Sequence, residues 1–117
     1  MSNTLCFTCD LKNDPELIKE YKQFHQPGNT WKSIVESIQT SGVQEMEIYL
    51  VGTRMFMIMK VEENFDLEKK RQLDESNPEV VRWEKLMSTF QQPYAYEGNE
   101  TKWLKMERIF RLTEHIE

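Results

Sequence analysis

The fold is decided by two successive β-strands in residues 43–61, VQEMEIYLVGTRMFMIMKV. In the first half, Met46, Ile48 and Leu50 alternate with residues of the opposite face, which is typical of a strand with one buried side. The short segment around Gly52 predicts a hairpin connection. Residues 55–61 are nearly all apolar, which predicts a central strand that is covered on both faces.

Upstream of this hairpin, the pattern predicts one strand and two helices. Residues 4–11 alternate as a strand. Asp14 and Pro15 suit the N-cap and the first position of a helix. Thr30 is predicted to cap a second helix, which Gly42 ends as a C-terminal cap.

Downstream of the hairpin, the pattern predicts two helices and a last strand. Residues 65–74 form a charged helix with few apolar anchors, and Asn77 caps a more apolar helix over residues 78–90. The proline- and glycine-containing residues 91–101 are expected to be a surface loop. Residues 103–112 read as the final strand, with a break in alternation that indicates a bulge or a change of face.

The resulting order is strand, helix, strand, strand, helix, strand. This is the split βαβ order of the ferredoxin-like fold, an α+β class with a four-stranded antiparallel sheet and helices on one face. A chain so rich in Met, Trp and Phe is not expected to leave the other face exposed to water. We therefore expect two copies to pair sheet to sheet as a homodimer, which gives a dimeric α/β barrel.

The composition describes a globular protein that we expect to form a single domain, residues 1–117, with 38% hydrophobic and 30% charged residues. The net charge of −5 argues against a nucleic-acid partner, because such a surface normally carries a basic stripe. The sequence has no apolar run of about 18 residues, so we expect no membrane span. Residues 1–10 lack the features of a signal peptide, and we expect a cytoplasmic protein.

The two cysteines, Cys6 and Cys9, have the CxxC spacing found in redox motifs and zinc sites. We interpret them as reduced thiols, because residues three apart on a strand face opposite sides. A zinc site would also need two more ligands, and His25 and His115 are the only histidines. We therefore expect no metal.

A candidate for proton transfer lies in residues 20–27, EYKQFHQP. Tyr21 and His25 are four positions apart, so they share one face of the first helix. An imidazole beside a phenol is a plausible acid–base pair for moving protons between oxygens. The alternative is structural, because a histidine at a helix end often only complements the helix dipole.

The sequence evidence for substrate-binding residues is less specific. Sugar pockets often place an indole against the apolar face of the ring, and Trp31 follows His25 after a tight turn, while Trp83 lies on the last helix. Each tryptophan taken alone also suits a core. Glu47, between two apolar strand residues, either lines a pocket, where it binds hydroxyls or acts as a base, or is an outward-facing charge.

Several motifs resemble the L-rhamnose mutarotase family, and together they cover nearly the whole chain. They are Glu20-Tyr21 through His25-x-Pro27 to Trp31, Gly42 before a strand ending Ile48-Tyr49-Leu50, Arg82-Trp83 followed by Met87, and Met106-Glu107-Arg108-Ile109-Phe110. Residues 10–17 and 46–49 look most like the branch linked to L-fucose.

The resemblance implies a dimeric enzyme that needs no cofactor and interconverts the α and β anomers of a 6-deoxy-L-hexose, L-fucose or L-rhamnose. It implies that His25 is the catalytic acid and that Tyr21 and Trp83 contact the sugar. Met46 stands where rhamnose-type members carry a substrate-contacting tyrosine, and Glu84 where they carry a tryptophan.

Two other functions stay open at this point. Fold does not fix function, so the chain could be another enzyme of the dimeric α/β-barrel type, such as a monooxygenase or a decyclase. It could also be a non-catalytic sugar-binding module, which would tolerate the loss of His25. We predict the mutarotase, with His25 and Tyr21 as catalytic residues. The predicted substrate contacts are Trp83, Trp31, Met46 and Glu47.

Overall fold

Four helices and five strands make up the part of the chain that the computed structural model describes, residues 3–93 and 103–116. The strands are β1 (Asn3–Leu11), β2 (Val43–Val51), β3 (Arg54–Val61), β4 (Gln91–Gln92) and β5 (Leu104–Lys105). The helices are α1 (Pro15–Phe24), α2 (Lys32–Thr40), α3 (Leu67–Ser76) and α4 (Pro78–Ser88), with a 3₁₀ turn at Leu112–His115. None of these helices, in the described residues, is long and apolar enough to cross a membrane.

The strands form one antiparallel sheet in the order β2-β3-β1-β4, and β5 also pairs with β1. One edge of β1 is taken by β3 along its length, so β4 and β5 share the other edge. Together they occupy the fourth position of the sheet. This order confirms the predicted α+β, ferredoxin-like split βαβ architecture.

The helices cover one face of the sheet, which we call the helix face; the other is the open face. Met55 of the central strand β3 lies between Cys9 of β1 and Leu50 of β2 in the register, and all three are on the helix face. A register shift between Val43 and Glu45 keeps Val43 on the helix face as well. The buried residues of the main cluster under the helices are Cys9, Leu11, Tyr21, Ile34, Met55, Val80, Trp83, Met87 and Phe90.

Two of the three predicted N-caps are confirmed. The Asp14 carboxylate accepts from the main chain at the start of α1, and the Asn77 side chain does so at the start of α4. The prediction that Thr30 caps the second helix is wrong. Trp31 occupies that N-cap without a side-chain hydrogen bond, and the Thr30 hydroxyl instead donates to the Phe24 carbonyl at 2.9 Å.

Gly42 ends α2 as predicted, with a φ of 97° that L side chains rarely adopt. A Cβ atom at this position would lie 3.4 Å from Phe65 Cδ1, an ordinary van der Waals contact, so the positive φ rather than a lack of space favours glycine. The third helix was predicted over residues 65–74. It begins later, at Leu67, because Asp66 acts as its N-cap and its carboxylate accepts from the main-chain N–H groups of Glu68 and Lys69.

The C-terminal part of the sheet differs from the prediction. Gln91–Gln92, expected in a loop, pairs with β1, while the remainder of that loop beyond residue 93 lies outside the described residues. The strand predicted over residues 103–112 is paired only at Leu104–Lys105, and its last bond to β1 runs from the Met106 N–H to the Cys6 carbonyl. Ile109 and Phe110 then remain 90% and 63% exposed, and the Phe110 ring stacks on the ring of His115 with centroids 4.8 Å apart.

Cys6 and Cys9 lie on opposite faces of the sheet, as the alternation predicted. Cys6 is opposite Ile58 on the open face, whereas Cys9 is opposite Met55 and buried under the helices. They form no disulfide. This placement agrees with the interpretation of two thiols rather than a CxxC redox motif.

Candidate active site

The candidate site is built on the C-terminal end of α1. Asp14 and Pro15 start the helix, and Tyr21 and His25 lie one turn apart at its other end, with His25 as the C-cap. Tyr21 is turned into the main core cluster and is only 5% exposed, whereas His25 is half-buried. The helix therefore anchors the phenol in the core and holds the imidazole at the boundary with solvent.

The end of α1 is tightly fixed, because its last four carbonyl groups all have partners, as a helix end requires. The turn that follows supplies these donors, so it folds back against the helix and leads directly into Trp31. The pairs are Tyr21 O with His25 Nδ1 (2.7 Å), Lys22 O with His25 N (3.1 Å), Gln23 O with Asn29 Nδ2 (2.8 Å) and Phe24 O with Thr30 Oγ1 (2.9 Å).

The hydrogen bond at His25 fixes its tautomer. A carbonyl oxygen only accepts, so Nδ1 of His25 carries the proton and donates it to the Tyr21 carbonyl. In the neutral ring, Nε2 is then the acceptor. Burial lowers the pKa of His25, and the Tyr21 carbonyl offsets this only in part, so the ring is neutral at pH 7. A neutral imidazole with a lone pair on Nε2 is equipped to take up a proton.

The Tyr21 hydroxyl is a neutral hydrogen-bonding group. Burial raises the pKa of Tyr21 far above its usual range, the charge of Glu84 raises it further, and a hydrogen bond from Gln91 lowers it. Tyr21 therefore does not act as a phenolate base near neutral pH. Its ring stacks on the His25 imidazole with centroids 4.3 Å apart, so the two residues share one face as predicted.

Two tryptophans extend this stack into an aromatic wall. The Trp83 ring, 6% exposed, meets the His25 ring edge-on at 5.7 Å between centroids. Trp31, half-buried at the N-cap of α2, meets Trp83 at 5.2 Å. The structure thus brings Tyr21, His25, Trp31 and Trp83 together from three helices. Such a wall offers apolar ring faces beside a proton-accepting nitrogen.

Met46 and Glu47 are not brought to this cluster. Met46 is half-buried on the helix face but packs in a second cluster with Phe7, Val43, Met59 and Val61. Glu47 lies on the open face, opposite Ile58, where its carboxylate accepts from the Tyr49 hydroxyl at 3.2 Å. Within one chain, Glu47 and His25 are therefore on opposite sides of the sheet.

Glu84 and Gln91 were not named as site residues from the sequence, and both act on Tyr21. Glu84 follows Trp83 on α4, is exposed, and its charge reaches the phenol. Gln91 is 2% exposed, and its Nε2 donates to the Tyr21 hydroxyl oxygen at 3.3 Å. The sequence gives little indication that Gln91 belongs to the site, because a glutamine shortly after a helix resembles a loop residue until its strand partner is known.

Comparison with known proteins decides between the candidate functions. A sequence model of the family described as L-rhamnose mutarotase matches residues 4–112. The chain belongs to the L-rhamnose mutarotase family. The mutarotase interconverts the anomers of a sugar, and it is an isomerase that acts on carbohydrates. This confirms the predicted reaction class, and nothing in the comparisons favours a monooxygenase or a binding module.

Two relatives and one solved structure show how far the likeness extends. An L-fucose mutarotase of Xanthomonas campestris pv. campestris is 37% identical to this chain over 112 residues, which are 96% of this chain and 90% of that protein. A UPF0734 protein of Dictyostelium discoideum is 40% identical over 84 residues, 71% of this chain and 66% of that protein. The crystal structure of an L-rhamnose mutarotase from Formosa agariphila superposes with a TM-score of 0.68 at 18% identity, covering 94% of this chain and 98% of that chain, and it supports the fold.

Proposed function

We propose that this mutarotase interconverts the α and β anomers of a 6-deoxy-L-hexose at His25. The observation that carries the proposal is the bond from His25 Nδ1 to the Tyr21 carbonyl, because it leaves Nε2 able to exchange a proton with the sugar. Trp83 meets this imidazole edge-on and Trp31 meets Trp83, so the two indoles offer apolar faces to the sugar ring and its methyl group.

In the proposed reaction, Nε2 of His25 takes the proton of the anomeric hydroxyl while the C1–O5 bond breaks and its electron pair moves to the ring oxygen. O1 and O5 are bonded to the same carbon, so one imidazole can serve both and return the proton to O5. The open-chain aldehyde then rotates about C1–C2, and the reverse transfers close the ring on the other face. No atom is oxidised or reduced, and that no metal or cofactor takes part stays a prediction.

The remaining predicted contacts divide into two groups. Tyr21, as a neutral phenol stacked on His25, is proposed to hold the sugar or to relay the proton through its hydroxyl. Met46 and Glu47 stay predictions as substrate contacts. Glu47 faces away from His25 within one chain, so we propose that it reaches a sugar only through a second copy.

We predict faster anomer exchange on L-fucose than on L-rhamnose at equal enzyme concentration, measured by exchange NMR. The two sugars share an apolar C6 methyl but differ at the C2 and C4 hydroxyls, and a site that hydrogen-bonds a hydroxyl rejects a sugar that misplaces it. The relative named L-fucose mutarotase supports this order. So does the departure at Glu84 from the rhamnose-type tryptophan, because the charge of Glu84 reaches Tyr21.

The same measurement has two contrary outcomes. Faster exchange on L-rhamnose would remove the L-fucose assignment and leave the mutarotase proposal standing. Exchange on neither sugar above the rate of an enzyme-free sample would contradict the proposed 6-deoxy-L-hexose substrate.

We also propose that the mutarotase forms a homodimer through its open face. Phe56 and Ile58 of the central strand β3 face this side, next to Tyr49, which is 53% exposed. The C-terminal Ile109 and Phe110 add further exposed apolar surface. A second copy that covers this face would bury it, and the same symmetric surface on both chains suits a C2 interface.

We predict that wild-type protein sediments as a dimer at micromolar concentration and that Ile58→Lys shifts it towards monomer. Ile58 lies opposite Glu47, so the new ammonium group has a partner within its own chain and the fold should persist, while the charge disrupts an apolar interface. Val35→Lys on α2, at a site 42% exposed, is the matched control and should stay dimeric. A wild-type protein that sediments as a stable monomer would contradict the proposal.

A cytoplasmic location is proposed on the chemistry of the cysteines. Cys6 and Cys9 form no disulfide in the structure. Proteins of reducing compartments keep such thiols unbridged.

A further inference from the structure

A buried polar group beside Tyr21 is not used by the reaction described above. Gln91 lies three residues after the end of α4 at Ser88, and the pairing of β4 with Leu11 turns its side chain to the helix face, while Gln92 is exposed. The Gln91 side chain is 2% exposed and lies against the main cluster, in which Tyr21 is the one residue with a side-chain oxygen. Its position is fixed further by the bond from the Lys12 N–H to the Phe90 carbonyl at 2.9 Å.

Only one end of this amide has a partner within the described residues. Gln91 Nε2 donates to the Tyr21 hydroxyl oxygen at 3.3 Å, whereas Gln91 Oε1 is buried and accepts no hydrogen bond. Buried side-chain oxygens are nearly always paired, and an unpaired one costs free energy that an apolar side chain of the same length would avoid. A glutamine at this position is therefore better explained by a ligand than by packing.

We infer that Gln91 is a substrate-positioning residue: its amide nitrogen holds the Tyr21 hydroxyl, and its carbonyl oxygen accepts a hydrogen bond from one hydroxyl of the bound sugar. The inference rests on the proposed function and deepens it. Tyr21 connects the two, because its ring stacks on the catalytic imidazole at 4.3 Å while its hydroxyl contacts Gln91. The amide thus adds a polar contact to a wall that is otherwise aromatic, which is how a sugar site gains specificity.

The test compares wild type with Gln91→Met, which keeps the side-chain length and removes both polar atoms. Anomer exchange is measured by NMR on L-fucose, L-rhamnose and a series of L-fucose analogues that each lack one ring hydroxyl other than the anomeric one. Met87→Leu, at a site 2% exposed in the same cluster, is the matched control for disturbed packing. Thermal unfolding of all three proteins reports whether the fold is kept.

We expect wild type to lose about tenfold in kcat/KM when one particular hydroxyl is missing, the size of one hydrogen bond. On L-fucose itself, kcat/KM of Gln91→Met should be about tenfold below that of wild type. On the analogue that lacks the contacted hydroxyl, the variant should show no further loss, because the contact is already absent. It should also narrow the ratio of rates between L-fucose and L-rhamnose. Met87→Leu should keep the wild-type pattern across the analogues.

Two results separate failure of this inference from failure of the proposed function. A Gln91→Met protein that loses the same factor on every sugar and analogue, or loses nothing, would show that Gln91 has only a structural role. Wild type that exchanges no 6-deoxy-L-hexose would instead contradict the proposed function.

If Gln91→Met does not fold, Gln91→Glu replaces it. That variant keeps the acceptor oxygen, so the analogue that lacks the contacted hydroxyl should still lose about tenfold, and an equal loss on every sugar would overturn the inference.

Discussion

Replacing His25 by asparagine is expected to lower the rate of anomer exchange by roughly 10²- to 10⁴-fold, the usual contribution of a positioned acid–base group. The variant removes Nε2, the atom proposed to exchange a proton with the anomeric hydroxyl. The asparagine side-chain amide can still donate to the Tyr21 carbonyl, the partner of Nδ1 in the wild type. The change therefore separates the chemistry of the ring from its role at the end of α1.

The measurement is exchange NMR on L-fucose, with an enzyme-free sample for the spontaneous rate. Near-ultraviolet circular dichroism reports whether Trp83 and Trp31 keep their packing around the site. His115→Asn is the matched control, since it removes the other histidine, which is exposed near the C-terminus. Near-wild-type exchange in a folded His25→Asn protein would remove His25 from the mechanism and promote Tyr21.

The parts of the fold that sequence predicted well are those set by local signals. Asp14 and Asn77 each stand before a proline that begins a helix, and both cap as expected. The strand pair of residues 43–61 has long alternating or continuous apolar patterns, and a two-residue turn connects it as predicted. Such elements need no information from distant parts of the chain.

The elements that were missed depend on distant partners. β4 has two residues, Gln91 and Gln92, which is too short for any periodic pattern, and it is a strand only because β1 lies beside it. The pattern of residues 103–112 is apolar enough for a strand, but the chain leaves β1 after Met106. Thr30 has the right chemistry for a cap, but its hydroxyl donates to the Phe24 carbonyl at the end of the preceding helix instead.

The site shows the same division. The spacing of Tyr21 and His25 placed them on one face, and the stacked rings agree. The alternation of β2 already separated Glu47 from Met46, and reading it strictly would have placed Glu47 on the open face. The tautomer of His25, the neutrality of Tyr21 and the burial of Gln91 are set by packing, so no local pattern could have predicted them.

The rate of anomer exchange is expected to stay level from about pH 8 to about pH 6.5 and to fall about tenfold per pH unit once the pH is below the pKa of His25. The proposed base is the neutral ring, which is lost on protonation. Burial lowers the pKa of His25 below the ordinary value of about 6.5, so the fall begins on the acid side of that value. The neighbouring Tyr21 stays neutral throughout and adds no second step in this range.

The lowered pKa of His25 also makes the stability of the fold depend on pH, with lower stability at acidic pH. The unfolded chain protonates His25 more readily than the folded one, so this residue destabilises the fold only as the pH falls from about 6.5 through the folded pKa. Exchange rates and thermal unfolding are therefore measured at the same pH values, after subtraction of the spontaneous acid-catalysed rate. His115→Gln should leave the shape of the profile unchanged. A midpoint above about pH 6.5 in fully folded protein would show that a group other than the buried imidazole limits the reaction.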